Sequence, residues 1–335
     1  MLNRFFRLVE YKVNKIFYYW RKEPFYLVFI RCIIASLESL VEMYRKYLSF
    51  RLRKRYKDKL PIIKLFDGSV VTTNVLDEGI SLDLFYCGIR EQLSIDYLLS
   101  NVNKDDVFYD IGANLGYYTV TVAKRVREVI SFEPYSRSYE LLKRNVILNN
   151  LKNTKVYKLG IGEKTQKRLL WVPSKNNQAS FYEEASENKK DMIQETSSIV
   201  SLDYFVENFK ELLPSWIKMD TEGYEYFIIK GAINILRDYK PRIFMELHGN
   251  KLSSGRLKEL ISILLDLGYK IDNCVIETQK AFILPFLNKN IEKLYYYIYR
   301  NILKEKDITL SYLYDNELFL KQHIGAIEIF LSCMK

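Results

Sequence analysis

The pattern of apolar and polar positions becomes regular from about residue 104, where short apolar runs alternate with amphipathic stretches. The runs predict strands at 107–109, 129–132, 155–159, 217–219 and 242–247. The stretches predict helices at 116–126, 136–149, 222–237 and 253–267. Ser136 is expected to cap the second of these helices. Strands that alternate with helices favour an α/β fold, in which a mostly parallel sheet is covered by helices on both faces.

The flanking segments have a different character. Residues 62–66 and 69–72 read as a hairpin around an Asp67-Gly68 turn, and residues 91–100 read as a helix. The polar stretch 173–198 is predicted to be a long loop or a mobile lid. Residues 281–335 predict one or two helices and a closing strand near 317–321. We therefore divide the chain into an N-terminal extension (1–60), a main domain (61–280) and a C-terminal extension (281–335).

The positive charge of the protein lies almost entirely in its N-terminal extension. Residues 1–60 hold 15 Lys and Arg against 5 Asp and Glu, and the rest of the chain holds 36 of each sign. A basic, helical segment of this kind suits an anionic membrane surface. A nucleic-acid partner is disfavoured, since no basic stripe continues into the main domain.

The longest apolar stretch is too short to cross a membrane. It runs over residues 25–37 and contains Arg31, whereas a spanning helix needs about 20 apolar residues. Two interpretations stay open for it, a helix that lies on a membrane surface and a helix that packs on the protein's own core.

The cysteines indicate a reducing compartment. Cys32, Cys87, Cys274 and Cys333 are far apart and have no histidine nearby in sequence, which predicts neither a zinc site nor a disulfide framework. No signal peptide is recognised. Together these features predict a cytoplasmic protein, peripheral to the inner membrane face if the basic extension binds lipid.

A glycine-containing turn is predicted between the first strand and its helix. Gly112 and Gly116 let a ligand approach the backbone at a helix N-terminus. Their spacing is G-x-x-x-G, whereas dinucleotide-binding proteins carry G-x-G-x-x-G. Asp110, just before the turn, would repel a pyrophosphate and attract a ligand that carries an ammonium and a sulfonium. This combination favours S-adenosylmethionine over a nicotinamide dinucleotide.

A second acidic residue ends the second strand. Glu133 follows Gly112 by 21 residues, a position from which a carboxylate accepts hydrogen bonds from ribose hydroxyls in nucleoside-binding sheets. Because nicotinamide enzymes share this acid, Glu133 supports a nucleoside ligand without choosing between the two cofactors.

With these residues in place, the chain resembles the FkbM family of S-adenosylmethionine-dependent methyltransferases from about residue 91 to 248. The matching runs are FYDIGANLGY (108–117), SFEP (131–134), LLKRN (141–145) with Asn149, VSLD (200–203), IKMDTEGYE (217–225) and FMELH (244–248). The resemblance implies a Rossmann-like class I methyltransferase fold and methyl transfer to a hydroxyl of a sugar, a glycolipid or a macrolide-type product.

The resemblance also assigns roles to the cofactor-binding residues. It implies that Asp110, Gly112, Asn114 and Gly116 hold the methionine end and that Glu133 holds the ribose. Gly160 and Ile161 fall where the third strand would face the adenine. Many methyltransferases place Asp or Asn there, and in this chain Glu163 is the nearest polar candidate.

Two predicted strand ends supply candidate acid–base groups. His248 is our candidate base for removing the acceptor's proton, with Asp220 as the alternative. Lys218, in an otherwise apolar strand, is expected to pair with Asp220, Glu222 or Glu225. Asp220 with Glu222 or Glu246 could also bind Mg²⁺ through carboxylate oxygens, although the interpretation we favour contains no metal.

The sequence thus predicts an O-methyltransferase that acts on a hydroxyl, with a sugar in a glycan or glycolipid as the preferred acceptor. Two alternatives remain. One is a non-catalytic, membrane-peripheral binding protein that retains the fold. The other is a nicotinamide oxidoreductase, which the G-x-x-x-G spacing and Asp110 disfavour.

Overall fold

The computed structural model describes residues 43–44, 46–56, 59–74, 79–173, 179–181, 192–248, 251–276, 309–315 and 327–333. The chain divides into two compact units, one of residues 1–55 and 278–307 and one of residues 56–277 and 308–335, which we call the main unit. In the first unit, residues 43–44 and 46–55 are helical. The apolar stretch 25–37 and the predicted strand near 317–321 lie outside the described residues.

The described part of the main unit contains strands and helices in the following order. Its strands are β1 (Ile62–Lys64), β2 (Val70–Thr72), β3 (Val107–Ile111), β4 (Glu128–Phe132), β5 (Thr154–Tyr157), β6 (Gly160–Ile161), β7 (Gln166–Pro173), β8 (Met192–Val200), β9 (Trp216–Met219), β10 (Arg242–Leu247), β11 (Tyr269–Ile276) and β12 (Ile327–Cys333). Its helices are α1 (Ile80–Cys87), α2 (Gln92–Asn101), α3 (Tyr117–Val122), α4 (Ser136–Leu148), α5 (Leu202–Phe209), α6 (Glu225–Lys230), α7 (Ile233–Asp238), α8 (Ser254–Asp266) and α9 (Leu310–Asp315).

Seven strands form the main sheet, in the order β11-β12-β10-β9-β3-β4-β5. The pairs from β10 to β5 are parallel, and β12 runs antiparallel to both of its neighbours. Every residue of β3 and of β9 is buried, as expected for parallel strands covered on both faces. This sheet confirms the predicted α/β fold and places the ends of β3, β4, β9 and β10 along one edge, where ligands bind in such sheets.

The predicted C-terminal extension contributes directly to this sheet. Strand β12 lies between β10 and β11, although fifty residues (277–326) separate β11 from β12 along the chain. The first five residues of β12 are all buried, which indicates that both faces of the strand are covered there. The predicted domain boundary near residue 280 therefore falls between β11 and β12, which are hydrogen-bonded neighbours in the sheet.

The predicted helix 222–237 is divided in two. Glu222 and Gly223 both have left-handed backbones, with φ of 55° and 97°, so the first helix begins only after them. The break between the two helices is at Gly231, where a Cβ would lie 1.9 Å from the carbonyl oxygen of Gly162. Asp203 then accepts the backbone N–H groups of Asn234 and Ile235 at 3.0 Å and stabilises the start of α7.

Part of the predicted polar loop 173–198 is a strand. Residues 192–198 lie in β8, which pairs antiparallel with β7 from Gln166↔Ile199 to Pro173↔Met192 and parallel with β6. The strand is polar over much of its length because three of its nine residues are exposed and three more are partly exposed. Residues 174–178 and 182–191, where the predicted lid would lie, are outside the described residues.

Two asparagines of α4 bind the backbone of the β1–β2 hairpin. Asn145 accepts the N–H of Thr72 at 2.7 Å, and its amide donates to the carbonyls of Thr72 and Leu115. Asn149 bonds both the N–H and the carbonyl of Val70. The hairpin is as predicted, with a longer connection, since Lys64 pairs with Val70. Ser136 is the first helical residue and not the cap, and its hydroxyl bonds the Glu195 carboxylate.

Candidate functional site

The turn after β3 has the backbone that its glycines predict. Gly112, Asn114 and Gly116 have φ of 76°, 52° and 91°, a region that glycine and, less often, asparagine adopt readily. A Cβ on Gly112 would lie 2.0 Å from the carbonyl oxygen of Asp220, whereas one on Gly116 would meet the Leu142 side chain at 2.6 Å. Gly112 therefore permits contact between the turns after β3 and β9, and Gly116 permits packing of α4.

A cavity opens beside this turn. It is lined by Ile111, Gly112, Asn114, Phe132, Glu133, Pro134, Leu159, Ile161, Leu170, Ala179, Phe181, Asp220, Thr221, Glu222 and Tyr224. Four of the predicted site residues meet there: Gly112, Asn114, Glu133 and Asp220. Asp110, Gly116, Glu163 and His248 are not among the lining residues. Glu163 pairs instead with Lys230 at 3.2 Å, so the structure does not bring it to the cavity.

Glu133 is a buried carboxylate at the wall of this cavity. It accepts the backbone N–H of Asn114 at 2.8 Å and that of Tyr135 at 2.9 Å. Burial raises the pKa of Glu133 to about 7, against these hydrogen bonds and the charge of Lys218, which lower it. The side chain is thus held rigidly and changes its charge near neutral pH.

This raised pKa predicts a pH-dependent ligand affinity. An ionised carboxylate accepts two hydrogen bonds from a ribose diol, and a protonated one accepts less well. The affinity for S-adenosylhomocysteine should therefore rise several-fold as the pH increases through about 7. Titration calorimetry across this range measures the effect, and Glu133→Gln should bind weakly and lose the pH dependence. A wild-type affinity that does not vary with pH would contradict the assignment.

Asp110 lies behind the turn in a buried ion pair. Its Oδ1 is 3.2 Å from Lys218 Nζ, and the hydroxyl of Thr119 donates to its Oδ2 at 2.7 Å. Lys218 also donates to the carbonyl of Gly112 at 3.2 Å. Burial lowers the pKa of Lys218, but the charges of Asp110 and Asp220 outweigh this and hold it above its usual value. The negative charge of Asp110 is thus neutralised within the protein.

Asp220, just after β9, is the candidate base that faces the cavity. Burial pushes the pKa of Asp220 upward, but the charge of Lys218, 3.8 Å away, and a hydrogen bond with Glu246 hold it below its usual value. Asp220 is therefore ionised at neutral pH. As predicted, Lys218 approaches Asp220, but its closer partner is Asp110, which was not among the expected partners.

His248 sits within a ring of carboxylates. Its Nδ1 is 3.0 Å from Glu225 Oε1, and its Nε2 is 3.3 Å from Glu222 Oε2 and 3.5 Å from Glu246 Oε1. Glu225 faces Nδ1 and Glu222 faces Nε2. An ionised carboxylate only accepts hydrogen bonds, so an imidazole between these two is best satisfied when both nitrogens carry protons. This environment favours a donating role for His248 over that of a base. Glu246 and His248 share one face of the strand end, as expected.

One group of side chains has spacing that would suit a metal ion. Asp220, Glu246 and His248 each offer one atom, and among the described residues these three atoms lie within 4.8 Å of one another. Two carboxylate oxygens and an imidazole nitrogen form a mixed set that several divalent ions accept. Lys218 balances part of the negative charge of this group. The metal-free interpretation stays a prediction.

Two cavity-lining residues, Phe181 and Tyr224, were missed by the sequence analysis. Their signal was the Gly160-Ile161-Gly162 run, since glycine at a strand end often marks the close approach of another group. A Cβ on Gly160 would lie 2.6 Å from Phe181, and one on Gly162 would lie 2.9 Å from Tyr224. Another unexpected contact is the ion pair between Lys251 and Glu222.

The chain is similar in sequence to known methyltransferases. The family model of the methyltransferase FkbM domain matches residues 110–271. The hexuronic acid methyltransferase AglP of Haloferax volcanii is 26% identical over 159 residues, which are 47% of this chain and 62% of that protein. A probable cobalt-precorrin-6B C(15)-methyltransferase (decarboxylating) of Methanocaldococcus jannaschii is 38% identical over 58 residues, 17% of this chain and 32% of that protein.

Among solved structures, the methyltransferase FkbM of Methylobacillus flagellatus is similar with a TM-score of 0.36 and 21% identity, over 53% of this chain and 42% of that one. This chain thus spans less than two thirds of the length of each of these three proteins. The matched segment supplies the turn after β3, Glu133, Asp220 and His248. Over residues 110–271 the chain is thus similar to the methyltransferase FkbM domain.

Proposed function

We propose that this protein is an S-adenosylmethionine-dependent O-methyltransferase. The observation that carries the proposal is the position of Glu133, buried at the cavity wall and bonded to the backbone of the β3–α3 turn through Asn114. A carboxylate beside an open glycine turn suits a ribose whose nucleoside continues along the strand ends. The FkbM domain match supports the same class of reaction.

The polar lining of the cavity suits this cofactor better than a dinucleotide. Asp220, Glu222 and Glu133 all line it, so its carboxylates would attract an ammonium and a sulfonium and repel a pyrophosphate. Asp110 does not supply this attraction directly, since Lys218 neutralises it. Bound S-adenosylmethionine would supply an electrophilic methyl group.

For the chemical step, the structure favours Asp220 over His248 as the base. Asp220 lines the cavity and carries a negative charge at neutral pH, whereas both nitrogens of His248 face carboxylates. In our proposal the acceptor oxygen forms a bond to the methyl carbon while the carbon–sulfur bond breaks, and Asp220 takes the hydroxyl proton. His248 would hold Glu222, Glu225 and Glu246 in position.

The acceptor we propose is a sugar hydroxyl in a glycan or a glycolipid. The relative from Haloferax volcanii is named for methyl transfer to a hexuronic acid, which supports a carbohydrate acceptor. The test is direct. S-adenosylhomocysteine and NAD are titrated separately into the purified full chain, and transfer of a labelled methyl group to extracted glycans and lipids is followed by mass spectrometry. NAD binding without S-adenosylhomocysteine binding would refute the proposal, and cofactor binding without any transfer would favour a non-catalytic protein.

We further propose that the N-terminal extension places the enzyme beside an anionic membrane. The described helical residues carry Lys46, Arg51, Lys54 and Arg55, and the side chains of Tyr47 and Phe50 are 52% and 65% exposed. Basic and aromatic side chains together suit a lipid surface. None of the helices among the described residues has the length and apolar character to span a bilayer.

Deletion of residues 1–60 should therefore reduce co-sedimentation with phosphatidylserine-containing vesicles at low salt. Vesicles of neutral lipid serve as the control. They carry no net charge that could attract the basic extension, so wild-type and truncated protein should sediment with them equally. Equal sedimentation of both proteins with anionic vesicles would remove the membrane role.

A further inference from the structure

Most of the residues that line the cavity are apolar or aromatic. Apart from Ile111 at the end of β3, they are Phe132, Pro134, Leu159, Ile161, Leu170, Ala179, Phe181 and Tyr224. Four of them come from the small β6-β8-β7 sheet and the segment 179–181 that pairs with it through Trp171 and Ser180. Among these side chains the one polar group is the hydroxyl of Tyr224, which is bonded to Arg168, and Glu163 pairs with Lys230.

Two aromatic side chains dominate this wall. Phe181 and Tyr224 are 6% and 1% exposed, and their ring centroids lie 5.3 Å apart with the planes inclined at 53°. The Tyr224 ring is also held through its hydroxyl, to which Arg168 Nη1 donates a hydrogen bond at 3.2 Å. We call this pair the aromatic wall.

The sequence makes room for the aromatic wall with two glycines. A Cβ on Gly160 would lie 2.6 Å and 2.7 Å from two atoms of the Phe181 ring, and a Cβ on Gly162 would lie 2.9 Å from the Tyr224 ring. Neither glycine has a positive φ. These residues are therefore glycine to make space and not for backbone conformation, and each lets a ring approach the strand end.

From this arrangement we propose that the aromatic wall binds the adenine of the cofactor, with Phe181 as the residue that determines nucleobase affinity. The inference rests on the proposed function, because it assumes that the ribose lies on Glu133. Adenine is flat and uncharged, and an aromatic side chain binds a base through its face without needing a matched polar partner. Apolar and aromatic contact thus takes the place of the Asp or Asn expected after the third strand.

The same segment also connects the nucleobase end to the acceptor end. The hydroxyl of Ser180, next to Phe181, donates to the carbonyl of Glu222 at 3.1 Å. Glu222 lies two residues after Asp220 and has a left-handed backbone. Contact of a base with Phe181 therefore acts on a segment that is hydrogen-bonded to the turn carrying the proposed base.

The experiment compares two ligands that differ in the base alone. S-adenosylhomocysteine and S-ribosylhomocysteine are titrated into wild type and Phe181→Ala. Loss of stacking should weaken S-adenosylhomocysteine by roughly 5- to 100-fold and leave S-ribosylhomocysteine unchanged. Equal weakening of both ligands, or no weakening of either, would overturn the role of Phe181. Failure of wild type to bind S-adenosylhomocysteine would refute the proposed function instead.

Gly160 gives a second, independent variant. Gly160→Ala should push the Phe181 ring away and weaken S-adenosylhomocysteine selectively. In the Phe181→Ala background the same methyl group fills vacated space, so the double variant should bind no worse than Phe181→Ala alone. Additive losses would show that the glycine acts elsewhere and would overturn the packing argument.

Two further variants control for misfolding and for nonspecific effects of substitution. Phe181→Leu retains apolar volume without an aromatic face, so it should fold if Phe181→Ala does not and should still lose affinity for S-adenosylhomocysteine selectively. Leu169→Ala removes a 38% exposed side chain of β7 that does not line the cavity. It should bind both ligands as wild type does, and an equal loss there would count against the aromatic wall.

Discussion

Asp220→Asn is expected to slow methyl transfer by roughly 10²–10⁴-fold while S-adenosylhomocysteine still binds with an affinity close to that of wild type. The amide keeps the size of the side chain and cannot take a proton. The backbone carbonyl of Asp220, which contacts Gly112, is unchanged. Single-turnover transfer and calorimetry on the same preparation separate the chemical step from binding. A large loss of affinity would place Asp220 on the cofactor and not on the acceptor.

The pH dependence of turnover distinguishes the two candidate bases. With its pKa held below the usual range by Lys218, Asp220 stays ionised across neutral pH, so kcat should be level there at saturating cofactor. A histidine base of ordinary pKa, about 6.5, would instead make kcat fall below that pH. Asp238→Asn, which removes an exposed carboxylate paired with Arg237, is the matched control and should leave kcat unchanged. A fall of kcat with the profile of a histidine, abolished in His248→Gln, would restore His248 as the base.

Lys218→Met is expected to destabilise the protein by about 3–5 kcal/mol, the usual cost when one partner of a buried ion pair is removed. The substitution leaves Asp110, which is completely buried, without its cationic partner. It also removes the hydrogen bond to the carbonyl of Gly112 at the cavity. Chemical denaturation gives the loss of unfolding free energy, which S-adenosylhomocysteine should offset poorly because the turn itself is disturbed.

The double variant Asp110→Asn with Lys218→Met tests the cause. It removes both charges, so it should be more stable than Lys218→Met alone, and the two substitutions should not be additive. If Asp110 instead faced the ammonium of the cofactor, Asp110→Asn would weaken binding without a loss of stability. Additive effects in the double variant would mean that the two side chains do not depend on each other.

Local patterns predicted much of the fold. The buried strands 107–111, 128–132 and 242–247 were visible as apolar runs, and the glycines at 112 and 116 marked the turn between β3 and α3. The position of Glu133 at the cavity could be anticipated, because it depends only on one strand–helix–strand unit. Such features are determined by residues close together in the chain.

The sequence was less informative where distant segments meet. The pairing of Lys218 with Asp110 crosses 108 residues, so the nearer acids looked like better partners. Gly231 resembles an ordinary helical position until the carbonyl of Gly162 is seen to lie against it. The polar composition of β8 hides a strand because several of its side chains face solvent and are polar. Glu163 was chosen for being polar, although the wall it was meant to complete is aromatic.

The asparagines of α4 have a consequence for solubility. Strand β2 would otherwise present open backbone groups along one side of a short hairpin, and such edges recruit strands from other molecules. Asn145 and Asn149 occupy the N–H and carbonyl groups of Thr72 and Val70 with their own amides. The side chains of a helix thereby cover the open side of this strand and protect it from β-pairing with other molecules. One of the two asparagines, Asn145, also holds the carbonyl of Leu115 in place.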